Sequence, residues 1–526
     1  MSSKLAKSAG LIGAATMASR LLGVGREMVL AAVFGATWQM DAFNVAFRVP
    51  NLLRDLFAEG AMTAAFVPTF TRKLTSEGRD AAWRLGSLVM NALVLVTVVL
   101  ALLGILFAPQ ITGAFAPEFA DTPGKLELTT DLTRIMLPFL TMLAVAAAMM
   151  GMLNSLRRFF VPSLSPAMFN VASIFSALAI VPLMPSFGLQ PIVGMAIGTL
   201  LGGLGQILLQ APTLKREGFR YQPIVSFKDP SVLEILRLMG PATLGLAAVQ
   251  VNVFVNTVLA TGEEGAVSWL QYAFRLMYLP IGIFGVSIAT ASLPDISRQA
   301  HANDLPAVRG SVSRGLRMML MLNVPAMVGL MVLAEPIVAM IYQRGEFSTT
   351  DTMNTASALM FYAPGLIGYS AVKIASPTFY SLRDSRTPVI VSVLSVGVNL
   401  ALNLALVRVL GFRGLALGTG IAAIFNSVVL LWLLRRRLAG LDGRRVFVSL
   451  AKIAIASAAM GVAAQVAGAW LTALTPAGGE LAKMLRVAGS IAVALLVLAA
   501  SARLLRIQEF NEATSRVLAR LGRRQA

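Results

Sequence analysis

Apolar runs of about twenty or more residues follow one another along the whole chain, parted by short polar turns. That length matches the roughly 20 residues a helix needs to cross a hydrocarbon core of ~30 Å. The runs place spans at about residues 8–34, 39–70, 84–110, 127–153, 159–184, 187–212, 231–261, 265–294, 309–341, 352–379, 387–409, 413–436, 447–473 and 481–505. The pattern predicts an all-α polytopic membrane protein with about fourteen transmembrane helices and no sizeable soluble domain. Lys4 and Lys7 precede the first run, which continues through Arg20 and Arg26 without a small-residue cleavage site. It reads as a retained first span, not a cleaved signal.

Composition agrees, with 57% hydrophobic and 13% charged residues. The 44 basic residues against 25 acidic ones give a net charge of +19. The bases gather in alternate loops, at Arg72, Lys73, Arg79 and Arg84, at Arg157 and Arg158, and at Lys215, Arg216, Arg220 and Lys228. The same side receives Arg298 and Arg309, Arg383 and Arg386, Arg435 to Arg437, and Arg516, Arg520, Arg523 and Arg524 in the tail. Opposite loops carry acids such as Glu118, Asp121, Glu263, Glu264, Glu335 and Glu346. The positive-inside rule then puts both termini in the cytoplasm. Anionic lipid headgroups account for the excess charge, so no nucleic-acid partner is needed. With no cysteine and only His301, the chain offers no thiolate chemistry and no histidine cluster for zinc or a proton relay. Neither cofactor nor metal is expected.

The sequence repeats itself. Pro138, Ser155, Leu156, Arg157 and Pro162 recur 226 positions later as Pro364, Ser381, Leu382, Arg383 and Pro388. Ala46-Phe47-Arg48 matches Ala273-Phe274-Arg275 with one residue of slip. Six spans are thus duplicated, and an even number keeps both copies in the same orientation. The expected organisation is an N-terminal lobe at 1–212, a cytoplasmic linker at 213–230, a parallel C-terminal lobe at 231–440, an appended helix pair at 441–505 and a basic tail at 506–526. Two such lobes around a central cavity suit alternating access by rocking.

Charge inside the spans carries the chemistry, because an ionisable group at bilayer depth costs about 2.5–3.5 kcal/mol on insertion scales. Asp41, Arg48 and Asp55 stand seven apart on one helical stripe, with Glu59 a turn beyond, near Pro50 and Gly60. Arg20 and Arg26 flank Gly23 and Gly25; Arg275 lies in span eight and Lys373 late in span ten. Guanidinium groups with few carboxylates nearby suit an anionic guest, since their planar fork matches phosphate. The pairs Asn252/Asn256 and Asn399/Asn403 bring no carboxylate and fit interhelical hydrogen bonding better than ion binding. No metal-binding or general-base carboxylate motif is present, which favours a transporter over an enzyme.

The run Gly25-Arg26-Glu27, Val33-Phe34-Gly35-Ala36, Asp41-Ala42-Phe43, Pro50-Asn51-Leu52-Leu53-Arg54, Phe57-Ala58-Glu59-Gly60 and Ala65-Phe66-Val67-Pro68 resembles the MurJ (MviN) family of lipid II flippases. Gly240-Pro241, Ser268-Trp269, Arg275-Leu276-Met277 and Phe379-Tyr380-Ser381 extend the resemblance over nearly the whole chain. It implies a member of the multidrug/oligosaccharidyl-lipid/polysaccharide exporter superfamily, in the bacterial inner membrane. Such a protein moves the lipid-linked peptidoglycan precursor to the outer leaflet, with membrane lipids and cell-wall synthesis proteins as further partners. The resemblance also implies that Arg20, Arg26 and Arg275 hold the diphosphate, with Arg54 beside them. Asp41, Arg48, Asn51, Glu59 and Lys373 then supply cavity or gating polarity, and the last two helices a groove for the polyprenyl tail. Some members carry acids immediately before and three residues after the span-eight arginine, where this chain has Phe274 and Tyr278. A gating pair would then fall to Asp41 or Glu59, and the coupling ion stays open. An exporter of another polyprenyl-diphosphate-linked glycan, or a cation or drug antiporter of this superfamily, is the alternative.

Overall fold

The computed structural model describes residues 2–55, 60–475 and 479–512. It contains twenty α-helices joined by short 3-10 and π turns, with no strand among the described residues. Helices answer the apolar sequence directly: in hydrocarbon every backbone N–H and C=O must be satisfied within its own segment.

By packing, the chain divides into two compact units. The first comprises Met1–Ser268 with the short segment Arg344–Phe347, and the second comprises Trp269–Gln343 and Ser348–Ala526. The first unit holds α1 (Ser2–Phe34), α2 (Trp38–Arg54), α3 (Gly60–Ser76), α4 (Arg79–Leu106), α5 (Ala108–Phe115), α6 (Lys125–Met136), α7 (Phe139–Ser155), α8 (Phe160–Phe175), α9 (Val193–Arg216) and α10 (Pro230–Ala260). Helix α11 (Ala266–Pro280) crosses the boundary. The second unit continues with α12 (Val286–His301), α13 (Leu305–Val332), α14 (Ala334–Tyr342), α15 (Thr349–Tyr362), α16 (Gly365–Ser381), α17 (Arg386–Leu410), α18 (Phe412–Arg437), α19 (Gly443–Leu474) and α20 (Glu480–Leu504).

Ten helical segments among the described residues are long and apolar enough to cross a membrane, and the bent pair α15–α16 makes an eleventh. The chain is therefore a multi-pass membrane protein. The other expected spans coincide with α1, the α2–α3 pair and α10, so fourteen stays a count from sequence. Several expected spans are interrupted where proline removes a backbone donor. The 127–153 run breaks between α6 and α7 at Leu137-Pro138, and the 352–379 run bends by 46° at Ala363-Pro364. The 309–341 run divides at Leu333 into α13 and α14.

The duplication reappears in the helix boundaries. α4 starts at Arg79 and α13 at Leu305, α5 at Ala108 and α14 at Ala334, α7 at Phe139 and α16 at Gly365, and α8 at Phe160 and α17 at Arg386, each pair 226 residues apart. α7 and α16 also end alike, with Arg157 (φ 60°) and Arg383 (φ 59°) in the left-handed region. The amides of Arg158 and Asp384 reach back to the carbonyls of Leu153 and Phe379, both at 2.9 Å, closing the helix ends. Packing does not follow the repeat at α10, which lies along α3 in the first unit, where Arg72 grips Glu234 with two donors.

Each unit has its own core. In the first, the rings of Phe66, Phe70, Trp83 and Phe219 form a chain with neighbouring centroids 5.4–5.8 Å apart. In the second, Leu316, Ile374, Phe379, Leu434, Ile453 and Met460 join α13, α16, α18 and α19. Helices α19 and α20 pack on each other, and α19 lies along α13. The chain beyond α20 is pinned by Glu509, which pairs with Arg317 of α13 and accepts from Ser449 Oγ of α19 at 3.1 Å. Outward-facing Leu102, Leu106, Val462, Val466, Trp470, Leu496 and Leu504 are exposed. Apolar faces of this extent fit lipid, not water.

Candidate functional site

The most completely built polar site in the first unit surrounds Asp41, in the first turn of α2 and fully buried. Its carboxylate accepts from the backbone amides of Gly265 (2.7 Å) and Ser268 (3.1 Å) and from Ser268 Oγ (2.7 Å). These amides lie at the start of α11, where a helix leaves its first N–H groups without partners of its own. Asp41 thus caps α11 from a distance in sequence. Asn44 Nδ2 donates to the same Ser268 hydroxyl at 3.0 Å. Lys125, buried at the first position of α6, brings its ammonium to 3.5 Å from Asp41 and 4.0 Å from the Phe119 ring centre. Asp41 is therefore a satisfied junction of α2, α6 and the chain entering α11. Lys125 and Gly265 were not anticipated, because both stand in polar stretches that read as loops.

The arginines have different surroundings. Arg20 is exposed in the middle of α1, beside Ser19, whose carbonyl accepts from Asn170 of α8. Arg26 is buried two turns later, ion-paired with Glu27, its guanidinium carbon 5.1 Å from the Phe169 ring centre. Arg48 is half-buried on α2. Arg54 donates to Asp55 through Nε (3.0 Å) and a terminal nitrogen (2.8 Å), and Asp55 also accepts from Gln250 at 3.4 Å. The expected stripe of Asp41, Arg48 and Asp55 is thus divided between a buried cap and a half-buried ion pair. Asn51 Oδ1 is buried with no hydrogen bond among the described residues. Glu59 lies outside the described residues.

In the second unit Arg275 is half-buried on α11, and Lys373 is exposed on α16. Phe274 and Tyr278 sit in an aromatic cluster. The rings of Phe274 and Tyr278 stack at 5.8 Å and 30°, while Tyr362 (5.5 Å, 71°) and Tyr369 (6.2 Å, 82°) meet Phe274 edge-on. Asn399 and Asn403 hydrogen-bond to each other at 3.2 Å, and Asn399 reaches Thr419 of α18 at 3.4 Å.

The segment Arg344–Phe347 packs with α1. Glu346 N donates to Ala32 O at 2.9 Å, and two glycines permit this approach. A Cβ on Gly35 (φ +59°) would lie 2.4 Å from Glu346 O, and one on Gly345 (φ +57°) 2.0 Å from Ala32 O. Only glycine fits both the backbone conformation and the space.

A family model described as "Lipid II flippase MurJ" matches residues 30–481. The "Probable lipid II flippase MurJ" of Vibrio cholerae is 36% identical over 438 residues, covering 82% of this chain and 83% of the relative. The "Probable lipid II flippase MurJ" of Rhizobium meliloti is 35% identical over 504 residues, covering 94% and 92%. The "Lipid II flippase MurJ" of Burkholderia cenocepacia is 34% identical, covering 80% and 82%. Among solved structures, "Lipid II flippase MurJ, inward closed conformation" superposes with a TM-score of 0.75 at 26% identity, covering 94% of this chain and 99% of the other. An inward-facing multidrug resistance MATE family transporter of the MOP superfamily gives 0.67 at 18% identity, covering 81% and 96%, a likeness of fold alone.

Proposed function

The chain belongs to the MurJ family of lipid II flippases, and from that membership we infer that it carries lipid II from the cytoplasmic to the outer leaflet, with Arg20, Arg26 and Arg275 as the groups that hold the diphosphate. The observation that carries the arginine assignment is Arg20: an exposed guanidinium halfway along the 33-residue helix α1, which coincides with the first expected span. A cation kept there without a topogenic role fits an anionic guest. Arg26 and Arg275 add forked donors that match phosphate oxygens.

The large headgroup then never meets hydrocarbon bare. The polyprenyl tail stays in lipid, in contact with α19 and α20, whose outward apolar side chains suit it. Binding of the anion offsets repulsion among the arginines and favours closure toward the cytoplasm, after which the protein opens outward. Membrane potential, at ~2.3 kcal/mol per charge per 100 mV, resets the empty cationic state. The protein performs transport and not bond chemistry, in the bacterial inner membrane, with both termini cytoplasmic as the basic loops require.

The test is native mass spectrometry of the purified protein offered lipid II, undecaprenyl phosphate and cardiolipin in competition, beside an Arg20/Arg26/Arg275 triple alanine variant. Lipid II is expected to be retained selectively by the native protein and lost from the variant. Equal retention of all three lipids would overturn the reading of the cargo; unchanged retention in the variant would overturn the arginine assignment.

A further inference from the structure

Within the second unit, the residues around Arg275 form more than an anion site. Arg275 and Tyr278 are three positions apart on α11, so they share a face with about 5–6 Å between their Cβ atoms. Tyr278 is 41% exposed, whereas Phe274 behind it is fixed edge-on by Tyr362 and Tyr369 from α15 and α16. α11 passes directly into a π turn at Ile281–Gly285, a feature that gathers at functional sites. A Cβ on Gly285 would lie 2.9 Å from Ser370 Oγ, so this turn is seated tightly on α16 beside Tyr369. The aromatic cluster is therefore rigid, with one ring presented outward.

Tyrosines facing lipid collect at the ends of spans, where the hydroxyl meets water. Tyr278 does not fit that role. It lies twelve residues, or ~18 Å, into the apolar segment Ala266–His301, and a hydroxyl turned to hydrocarbon there would forfeit its hydrogen bonds. An aromatic face with a polar tip, next to a guanidinium, instead matches a sugar joined directly to a phosphate. The C–H face of a pyranose ring stacks on an aromatic plane, and the phenol hydroxyl serves the ring's hydroxyls.

We propose that Tyr278, backed by Phe274, is the platform on which the first sugar of the cargo stacks while Arg275 holds the adjoining diphosphate. The assignment rests on the diphosphate reading given above and adds to it a glycan subsite that sets specificity.

The experiment offers lipid II, undecaprenyl diphosphate, which has the same tail and diphosphate but no sugar, and cardiolipin in competition to the native protein and to Tyr278→Ala, Tyr278→Trp and Arg275→Ala variants, read by native mass spectrometry. The native protein is expected to prefer lipid II. Tyr278→Ala lowers that preference about fivefold with undecaprenyl diphosphate retained as before, and Tyr278→Trp restores it. Arg275→Ala weakens both lipids. If Tyr278→Ala keeps the preference, or weakens both lipids alike, the platform is refuted. If the native protein holds both diphosphates equally, the sugar subsite fails and the diphosphate reading stands. If it holds neither above cardiolipin, the diphosphate reading fails and the subsite with it.

Discussion

Replacing Asp41 by alanine tests whether this carboxylate is a structural junction, and the structure fixes the size of the effect. The Lys125 side chain is 3% exposed and Asp41 is its ion-pair partner at 3.5 Å, so the substitution leaves an ammonium buried without its counter-charge. Breaking a buried pair from one side costs about 3–5 kcal/mol. The Phe119 ring, 4.0 Å from the ammonium, holds back ~1–2 kcal/mol of that through its π face. The amides of Gly265 and Ser268 also lose their acceptor, at about 1–3 kcal/mol for an unsatisfied buried group. These losses share one side chain and do not add, so the expectation is about 3 kcal/mol. Lys125→Met in the same background removes the stranded charge and leaves only the amide loss. Thermal unfolding in detergent, followed by tryptophan fluorescence, should therefore rank native above Asp41→Ala/Lys125→Met, and the double variant above Asp41→Ala. A double variant no more stable than Asp41→Ala, or an alanine variant unfolding with the native protein, would refute the ion-pair argument.

Gly345→Ala should loosen Arg344–Phe347 from α1: the left-handed backbone costs a side chain about 1–2 kcal/mol, and the Glu346 N to Ala32 O bond would be lost as well. Hydrogen exchange at Glu346 is expected to quicken by about tenfold or more, while Gly124→Ala, at φ +80° with nothing within 4 Å of the added methyl, leaves that amide unchanged; equal effects from both would remove the steric argument. Asp384, in the turn between α16 and α17, is held below its ordinary pKa first by the Thr387 amide, then by the Thr387 hydroxyl and the Arg437 guanidinium. A depressed carboxylate stabilises the fold above its unfolded pKa of ~3.9 and loses that contribution as pH falls through the lower folded value. The gap in melting temperature between native protein and Asp384→Asn should thus be constant above about pH 5 and shrink toward pH 3; a gap independent of pH would count against it.

The apolar spans and the 226-residue offset of the helix starts were legible because each leaves a local mark. A run of apolar residues has a length, and a repeat has an offset. Asp41 shows where such marks end. Its place on the stripe with Arg48 suggested a cavity-facing charge, but its partners Lys125 and Gly265 lie 84 and 224 residues away, and nothing local announces a cap supplied from that distance. The breaks at Leu137-Pro138 and Ala363-Pro364 were visible as prolines, yet membrane helices absorb many prolines, such as Pro166 and Pro325, without ending. Gly345 gave no signal either, since the demand for glycine there comes from the carbonyl of Ala32.

The repeat does explain why the junction at Asp41 takes the form it does. With the one-residue slip that aligns Arg48 with Arg275, Asp41 aligns with Ser268, and these two side chains hydrogen-bond to each other. Where equivalent positions of a duplicated chain meet, identical residues fail: two aspartates would bury like charges, and two serines would leave the amides of Gly265 and Ser268 without a strong acceptor. One acceptor facing one donor resolves the conflict, so the copies must differ at this point. The helices around it carry the same asymmetry. Lys125, near the start of α6, sits 226 residues before Asp351, near the start of α15, so the equivalent positions hold opposite charges. Lys125 serves the buried carboxylate of Asp41, while Asp351 accepts from Trp269 Nε1 at 2.8 Å and caps α15 with Ser348. Helix boundaries such as those at Arg157 and Arg383 could stay identical because each is satisfied within its own copy. Polar residues at a meeting of equivalents could not, which is why the duplication is easiest to see in turns and hardest to see in the charges.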